Sequence, residues 1–319
     1  MRRSLLFILL CTNCALLSHA QRELLNPLID SKLVIAKGTG LLDEGKYKAA
    51  ISEYLKVPQS DTSYAVALHD LVLSYYQDSN FVTAEKYGNL ALALYPEKNT
   101  EWYSLLANVY DETKRYDLAL KAYDTILSQN PYSYITWFNN GITLYKLMRY
   151  DEAGTSFQRC VILNPYYAPA HYFLGQLALI KGNMVPAMMS FAVNLLVQPE
   201  NRYQKNAVGA LNTISEVNTT ANEYLQKYKP GKEDNFDELQ ELLVSKVALD
   251  KNYKLKAGLE DQIVRQLQVV MEKLEFNAAD KGFWMQYYVP LFKNLWDNNL
   301  FEPSVFYMFS GLDIKKVKE

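Results

Sequence analysis

A chain of 319 residues with 49% hydrophobic and 21% charged residues has the makeup of a globular protein, with room for a sizeable core and for more than one structural unit. Its formal charge of −2, from 33 basic and 35 acidic residues, gives no basic footprint for nucleic acid. The 25 tyrosines, against 13 phenylalanines, are the unusual feature and need a structural explanation.

Residues 1–20 read as a secretory signal peptide: Arg2 and Arg3 supply charge, Leu5 to Leu10 an apolar run, and Ser18-His19-Ala20 a small-x-small cleavage site. Cleavage after Ala20 is expected, placing the mature chain in the periplasm or outside the cell with Gln21 at its start. The run is too short to span a bilayer, which takes about 20 residues. A lipid-anchored form through Cys11 or Cys14 is the less favoured expectation, because neither follows the Leu plus small-residue context of lipoprotein processing. Cleavage leaves 31 basic against 35 acidic residues, a charge of −4, and Cys160 as the one cysteine, so no disulfide forms within the mature chain.

After a lead-in at 21–30 the chain becomes periodic. Alanine recurs at Ala50, Ala84, Ala119, Ala153 and Ala187, at spacings of 34, 35, 34 and 34 residues. Three residues before each stands Tyr47, Phe81, Tyr116, Tyr150 or Met184; four after stands Tyr54, Gly88, Tyr123, Phe157 or Phe191. Prolines close all units but the first, at Pro96, Pro131, Pro165 and Pro199. These columns predict pairs of antiparallel helices, with the alanine where the second helix crosses the first and its −3 and +4 neighbours on the same face. In the first helices a small residue recurs at Gly38, Ala107, Gly141 and Gly175, with Val72 the exception.

This pattern of aromatic, small residue, Tyr, Ala-x3-Phe and Pro resembles the tetratricopeptide repeat, with Trp137, Gly141, Tyr150, Ala153, Phe157 and Pro165 all in register. The resemblance, to an exported bacterial member of the family, covers residues 31–201 in five units: 31–64, 65–99, 100–133, 134–167 and 168–201. It implies an all-α fold, a right-handed helical-hairpin solenoid followed by a C-terminal helical region. Gly88 in place of a large residue and Asn194 in place of a small apolar one predict looser packing in units two and five.

Beyond Pro199 the register is lost. Residues 202–234 are expected to hold extra helices and a linker, with a turn-rich break at Tyr228-Lys229-Pro230-Gly231. Residues 235–319 form an aromatic-rich helical region, with one helix from Phe236 to Leu249, a second carrying Leu255, Leu259, Ile263, Leu267, Val270 and Leu274, and a break at Pro290. Packing of this region as a cap on the repeats is the leading reading, and an exposed second interface the other.

No constellation for catalysis or metal binding emerges, and neither an enzyme activity nor a cofactor is expected. Of the two histidines after residue 20, His171 stands in the column of Trp137 and reads as a packed core residue. His69 has no second His or Cys at metal-ligand spacing. What the resemblance implies instead is a partner-binding groove on the first helices. Carried onto this chain, its positions are His69, Tyr76 and Gln77; Glu101, Ser104, Asn108, Asp111 and Glu112; Phe138, Asn139, Tyr145 and Lys146; and Tyr172 and Gln176. Rings mixed with amides and carboxylates suit an extended peptide, and the acids favour a neutral to basic one. Ser104, Pro169 and Phe173 stand where a carboxylate clamp would need cations. The expected function is a non-catalytic protein-interaction scaffold of the cell envelope. A carbohydrate- or small-ligand-binding protein using the aromatics around Trp284 and Trp296 is the alternative, and Asn218-Thr219-Thr220 fits a glycosylation acceptor.

Overall fold

The structure, a computed structural model, describes residues 29–216, 223–224, 226–229, 233–245 and 247–312. The expected signal peptide with Cys11, Cys14 and Ala20, the Asn218 triplet and the Pro230-Gly231 break lie outside the described residues. Those described contain helices and no strand. The chain divides between Gln129 and Asn130 into two compact units.

The first unit consists of three consecutive helical hairpins: α1 (Ser31–Asp43) with α2 (Tyr47–Tyr54), α3 (Tyr64–Gln77) with α4 (Phe81–Leu94), and α5 (Asn99–Glu112) with α6 (Tyr116–Gln129). Side chains of Asp30 and Asn80 cap α1 and α4 by accepting from Leu33 and Thr83 amides, satisfying donors that a helix start leaves free. Each hairpin reverses through one left-handed residue: Gly45, Ser79 and Lys114, at φ of 73°, 58° and 60°. The second unit repeats the device at Met148 and Gly182, φ 58° and 79°, so the turn follows the 34-residue register even where the residue is not glycine.

Within a hairpin the helices approach by pairing a missing side chain with a ring. A Cβ on Gly38 would lie 2.5 Å from the Tyr54 ring, one on Gly141 2.6 Å from Phe157, and one on Gly175 2.8 Å from Phe191. In the second hairpin the sizes are exchanged. Val72 is the large member and Gly88 the small one, and the space over Gly88 is filled by Leu106 of the following helix α5, 2.8 Å from where a Cβ would be. Val72 and Leu106 are buried, so the packing expected to be loose at Gly88 is tight.

The second unit begins with the hairpins α7 (Tyr134–Lys146) with α8 (Tyr150–Leu163) and α9 (Ala168–Ile180) with α10 (Met184–Val197). It continues through α11 (Gln204–Ser215), α12 (Asp237–Val244), α13 (Gln262–Lys273), α14 (Phe283–Tyr287), α15 (Val289–Asp297) and α16 (Phe301–Met308). Helix α10 is buried at every position from Met184 to Leu195, because α9 covers one side and α11, α12 and α16 pack on the others. The aromatic region is therefore a cap on the last hairpin. Asn194, also expected to loosen its surroundings, is fully buried and satisfied: its Nδ2 donates to Ala168 O at 2.8 Å and its Oδ1 accepts from Asn201 at 3.2 Å.

Two side chains anchor the cap. Gln240, 1% exposed, accepts from the Val185 amide at 3.0 Å and donates to Gly182 O at 3.0 Å, pinning the turn between α9 and α10. Tyr288 reaches His171 at 2.6 Å. The helix expected around Leu255 and Leu259 starts later, at Gln262. Residues 250–261 are instead irregular, with backbone groups satisfied by α13 side chains: Gln268 bonds the Lys256 amide and Lys254 O, and Arg265 donates to Asp250 O and Tyr253 O. Pro290 sits in the first turn of α15, three residues after α14 ends at Tyr287, as its missing amide favours.

Candidate partner-binding face

In the first unit, Glu101, Ser104, Asn108, Asp111 and Glu112 fall at helical spacing along one face of α5, with Ser104 and the carboxylates of Glu101 and Glu112 exposed and the other two half-buried. Helix α3 packs against α5 and contributes Tyr76, half-buried, with its ring 5.8 Å from that of Phe81. Burial pushes the Tyr76 hydroxyl up in pKa, and the negative charges of Glu112 and Asp111 add to it, which places the three groups together. Gln77 beside it is exposed. His69 Nδ1 lies 3.0 Å from Asp70 Oδ1 and its ring centroid 6.2 Å from that of Trp102. This is a carboxylate-bearing face around one accessible phenol ring.

The second unit differs. Tyr145 and Asn139 are half-buried, Lys146 is exposed and Gln176 half-buried, as a binding face needs. Phe138 and Tyr172, however, are only 4% and 8% exposed. Phe138 packs edge-on against Tyr167 and Phe173 with centroids 5.0 and 5.9 Å apart, and Tyr172 stacks on Tyr203 at 4.4 Å. The two predicted groove residues are thus wall supports, covered by rings that the repeat columns did not assign a role. Among those rings Phe173 and Tyr203 are half-buried and partly accessible, with the Arg202 guanidinium 4.6 Å from the Tyr203 ring. Tyr203 follows Pro199, where the register lapses, so the repeat spacing could not find it. Six of the tyrosines, Tyr134, Tyr145, Tyr150, Tyr167, Tyr172 and Tyr203, belong to this lattice of rings.

His171 occupies the column of Trp137 in function as well as in register, and Trp102, one position earlier in its own unit, makes the same kind of bond. The three ring nitrogens donate backward across an inter-hairpin turn: Trp102 Nε1 to Tyr95 O at 3.1 Å, Trp137 Nε1 to Pro131 O at 2.9 Å, and His171 Nε2 to Pro165 O at 2.8 Å. With its proton on Nε2, His171 accepts from the Tyr288 hydroxyl on Nδ1. Burial lowers its pKa to about 4. Cys160, fully buried in α8, has its thiol pushed up to about 12 by burial, which leaves no thiolate near neutral pH. Among the described residues no three His, Cys, Asp or Glu side chains converge to hold a metal ion, and no helix is long and apolar enough to cross a membrane.

Residues 104–168, most of the third hairpin unit and the whole of the fourth, match the model of the tetratricopeptide repeat family. No curated protein matches the chain. Among solved structures it is similar to YrrB, described as a TPR protein with an unusual peptide-binding site: 22% identity, 56% of this chain and 92% of that one covered, TM-score 0.44. MamA from Desulfovibrio magneticus RS-1 aligns at 17% identity over 54% of this chain and 97% of that one, TM-score 0.47. MamA AMB-1 aligns at 22% identity over 51% and 89%, TM-score 0.42. All three TM-scores lie below 0.5; the family match shows tetratricopeptide repeats over residues 104–168, and the same hairpin register continues on both sides of that stretch.

Proposed function

We propose that this chain is a non-catalytic scaffold that binds a peptide or a segment of a partner protein on the inner face of its repeats, and that it works in the cell envelope after export. The observation that carries the reading is the accessible face of α5 and α3, where Asp111 and Glu112 lie by the Tyr76 ring and Glu101 extends the acidic face along α5, within a family of repeats built to bind other proteins. A flat ring supplies apolar contact and the carboxylates attract a neutral to basic segment, while nothing on that face is arranged to make or break a covalent bond. Export rests on the sequence of residues 1–20, and a periplasmic or secreted location is part of the same proposal.

The test is crosslinking in intact cells followed by mass spectrometry, comparing the natural chain with a Tyr76→Ala, Glu112→Lys double variant. Specific neighbours captured by the first and lost by the second support the inner face as the site. Identical capture by both sinks it. Sequencing of the protein recovered from the envelope tests export, which predicts Gln21 as the first residue.

A further inference from the structure

The polar groups around Trp284 are arranged in a way that partner binding on the repeats does not explain. A cavity of about 430 Å³ lies where the turn between α9 and α10 meets the cap, lined by Asn183, Tyr228, Asp234, Phe236 and Trp284 and by the exposed residues Lys229 and Glu233. Its size is that of small-ligand pockets, which run from roughly 300 to 1,000 Å³. The walls are held firmly. Gln240 clamps Gly182 next to Asn183, and Gly182 is packed so closely that a Cβ there would lie 2.2 Å from Tyr224 O. Asp234 accepts from the Met285 amide at 3.0 Å, which fixes α14 and with it the indole of Trp284.

The polar groups of this cavity are mainly acceptors. The Asn183 Oδ1 is buried with no hydrogen-bond partner among the described residues. The Tyr228 hydroxyl gives its proton to Asp237 at 2.6 Å, which leaves its oxygen only accepting. Asp234 and Glu233 bring carboxylates, and burial holds the Asp234 carboxyl above its usual range. An orphaned buried acceptor calls for a donor. The two carboxylates disfavour an anion, and the Lys229 ammonium offsets part of their negative charge. A donor-rich, uncharged ligand satisfies all of these at once, and a sugar ring is such a molecule: hydroxyls for the acceptors, and C–H bonds for the small exposed parts of Trp284 and Phe236, 9% and 4%, that line the cavity. We infer that this cavity is a binding site for a neutral sugar, independent of the repeat face. Trp296 does not line this cavity; its ring carries the Lys256 ammonium, 3.8 Å from the centroid.

The test is titration of the full chain with D-glucose, D-galactose and N-acetyl-D-glucosamine, followed by tryptophan fluorescence and by calorimetry. The expected result is saturable binding of at least one of them in the millimolar range, weakened about tenfold or more in Asn183→Ala and in Trp284→Phe and unchanged in Trp296→Phe. Circular dichroism and melting temperature equal to those of the natural chain show that these variants fold. No saturable response to any of the three sugars, undiminished binding by folded Asn183→Ala, or binding of 1,5-diaminopentane in their place overturns the inference. None of these outcomes bears on the repeat face, which crosslinking tests separately.

Discussion

The bond between His171 and Tyr288 makes the second unit sensitive to acid, and the size of the effect follows from its burial. His171 is 3% exposed, and the loss of hydration on burial lowers its pKa to about 4 from an ordinary 6.5, outweighing the hydrogen bond to Pro165 O that favours the charged form. The unfolded chain therefore binds a proton in the window between these values that the folded chain refuses. Stability falls as pH drops through that window: by about 2 kcal/mol at pH 5 and by about 3 kcal/mol at pH 4, at roughly 1.4 kcal/mol per pKa unit. Urea denaturation followed by tryptophan fluorescence reads it, because Trp137, Trp284 and Trp296 all belong to this unit. Carboxylates elsewhere add their own acid dependence, so the comparison is with His171→Gln, which cannot take up a proton. The variant starts less stable but should lose about 2 kcal/mol less than the natural chain between pH 7 and pH 5. Equal losses would refute the assignment of a buried, neutral histidine.

Four further outcomes are expected. Tyr288→Phe leaves His171 Nδ1 buried without a donor and should cost about 1–3 kcal/mol in urea denaturation. Gly141→Ala, which drives a methyl into the Phe157 ring, should cost about 1–3 kcal/mol, whereas Gly154→Ala on the next helix, whose new methyl approaches Leu177 no closer than 3.7 Å, should stabilise by about 0.5–1 kcal/mol. Met148→Gly removes a left-handed side chain that is 71% exposed and packs little, and should raise the melting temperature rather than lower it. Gln240→Leu frees Val185 N and Gly182 O in the interior and should loosen the cap, seen as faster amide exchange at both ends of the turn between α9 and α10.

The hairpins were legible in the sequence because their columns are steric: an alanine where helices cross and an aromatic four residues on admit few alternatives. The cap was legible as helical and aromatic, but its boundaries were not. Leu255 and Leu259 have helical spacing, yet the choice between helix and loop there rests on Gln268 and Arg265, distant in sequence, whose side chains satisfy the loop backbone. The groove was read less well for a related reason. A repeat position says which way a side chain points, whereas its exposure depends on neighbours in other units, and Phe138 and Tyr172 are covered by Phe173, Tyr167 and Tyr203. The cavity beside Trp284 has no sequence signature, since Asn183 and Asp234 belong to different stretches and meet only through folding.

The exchange of sizes between Val72 and Gly88 bears on where this chain can be cut. In the hairpins that pair glycine with a ring, the hole and its filling lie in the same repeat. The second hairpin borrows Leu106 for its hole, so a fragment ending after Leu94 carries an open notch in its own interior, and one ending at Glu112 does not. The smallest self-sufficient N-terminal piece accordingly runs half a repeat past the point at which repeat counting alone would divide it.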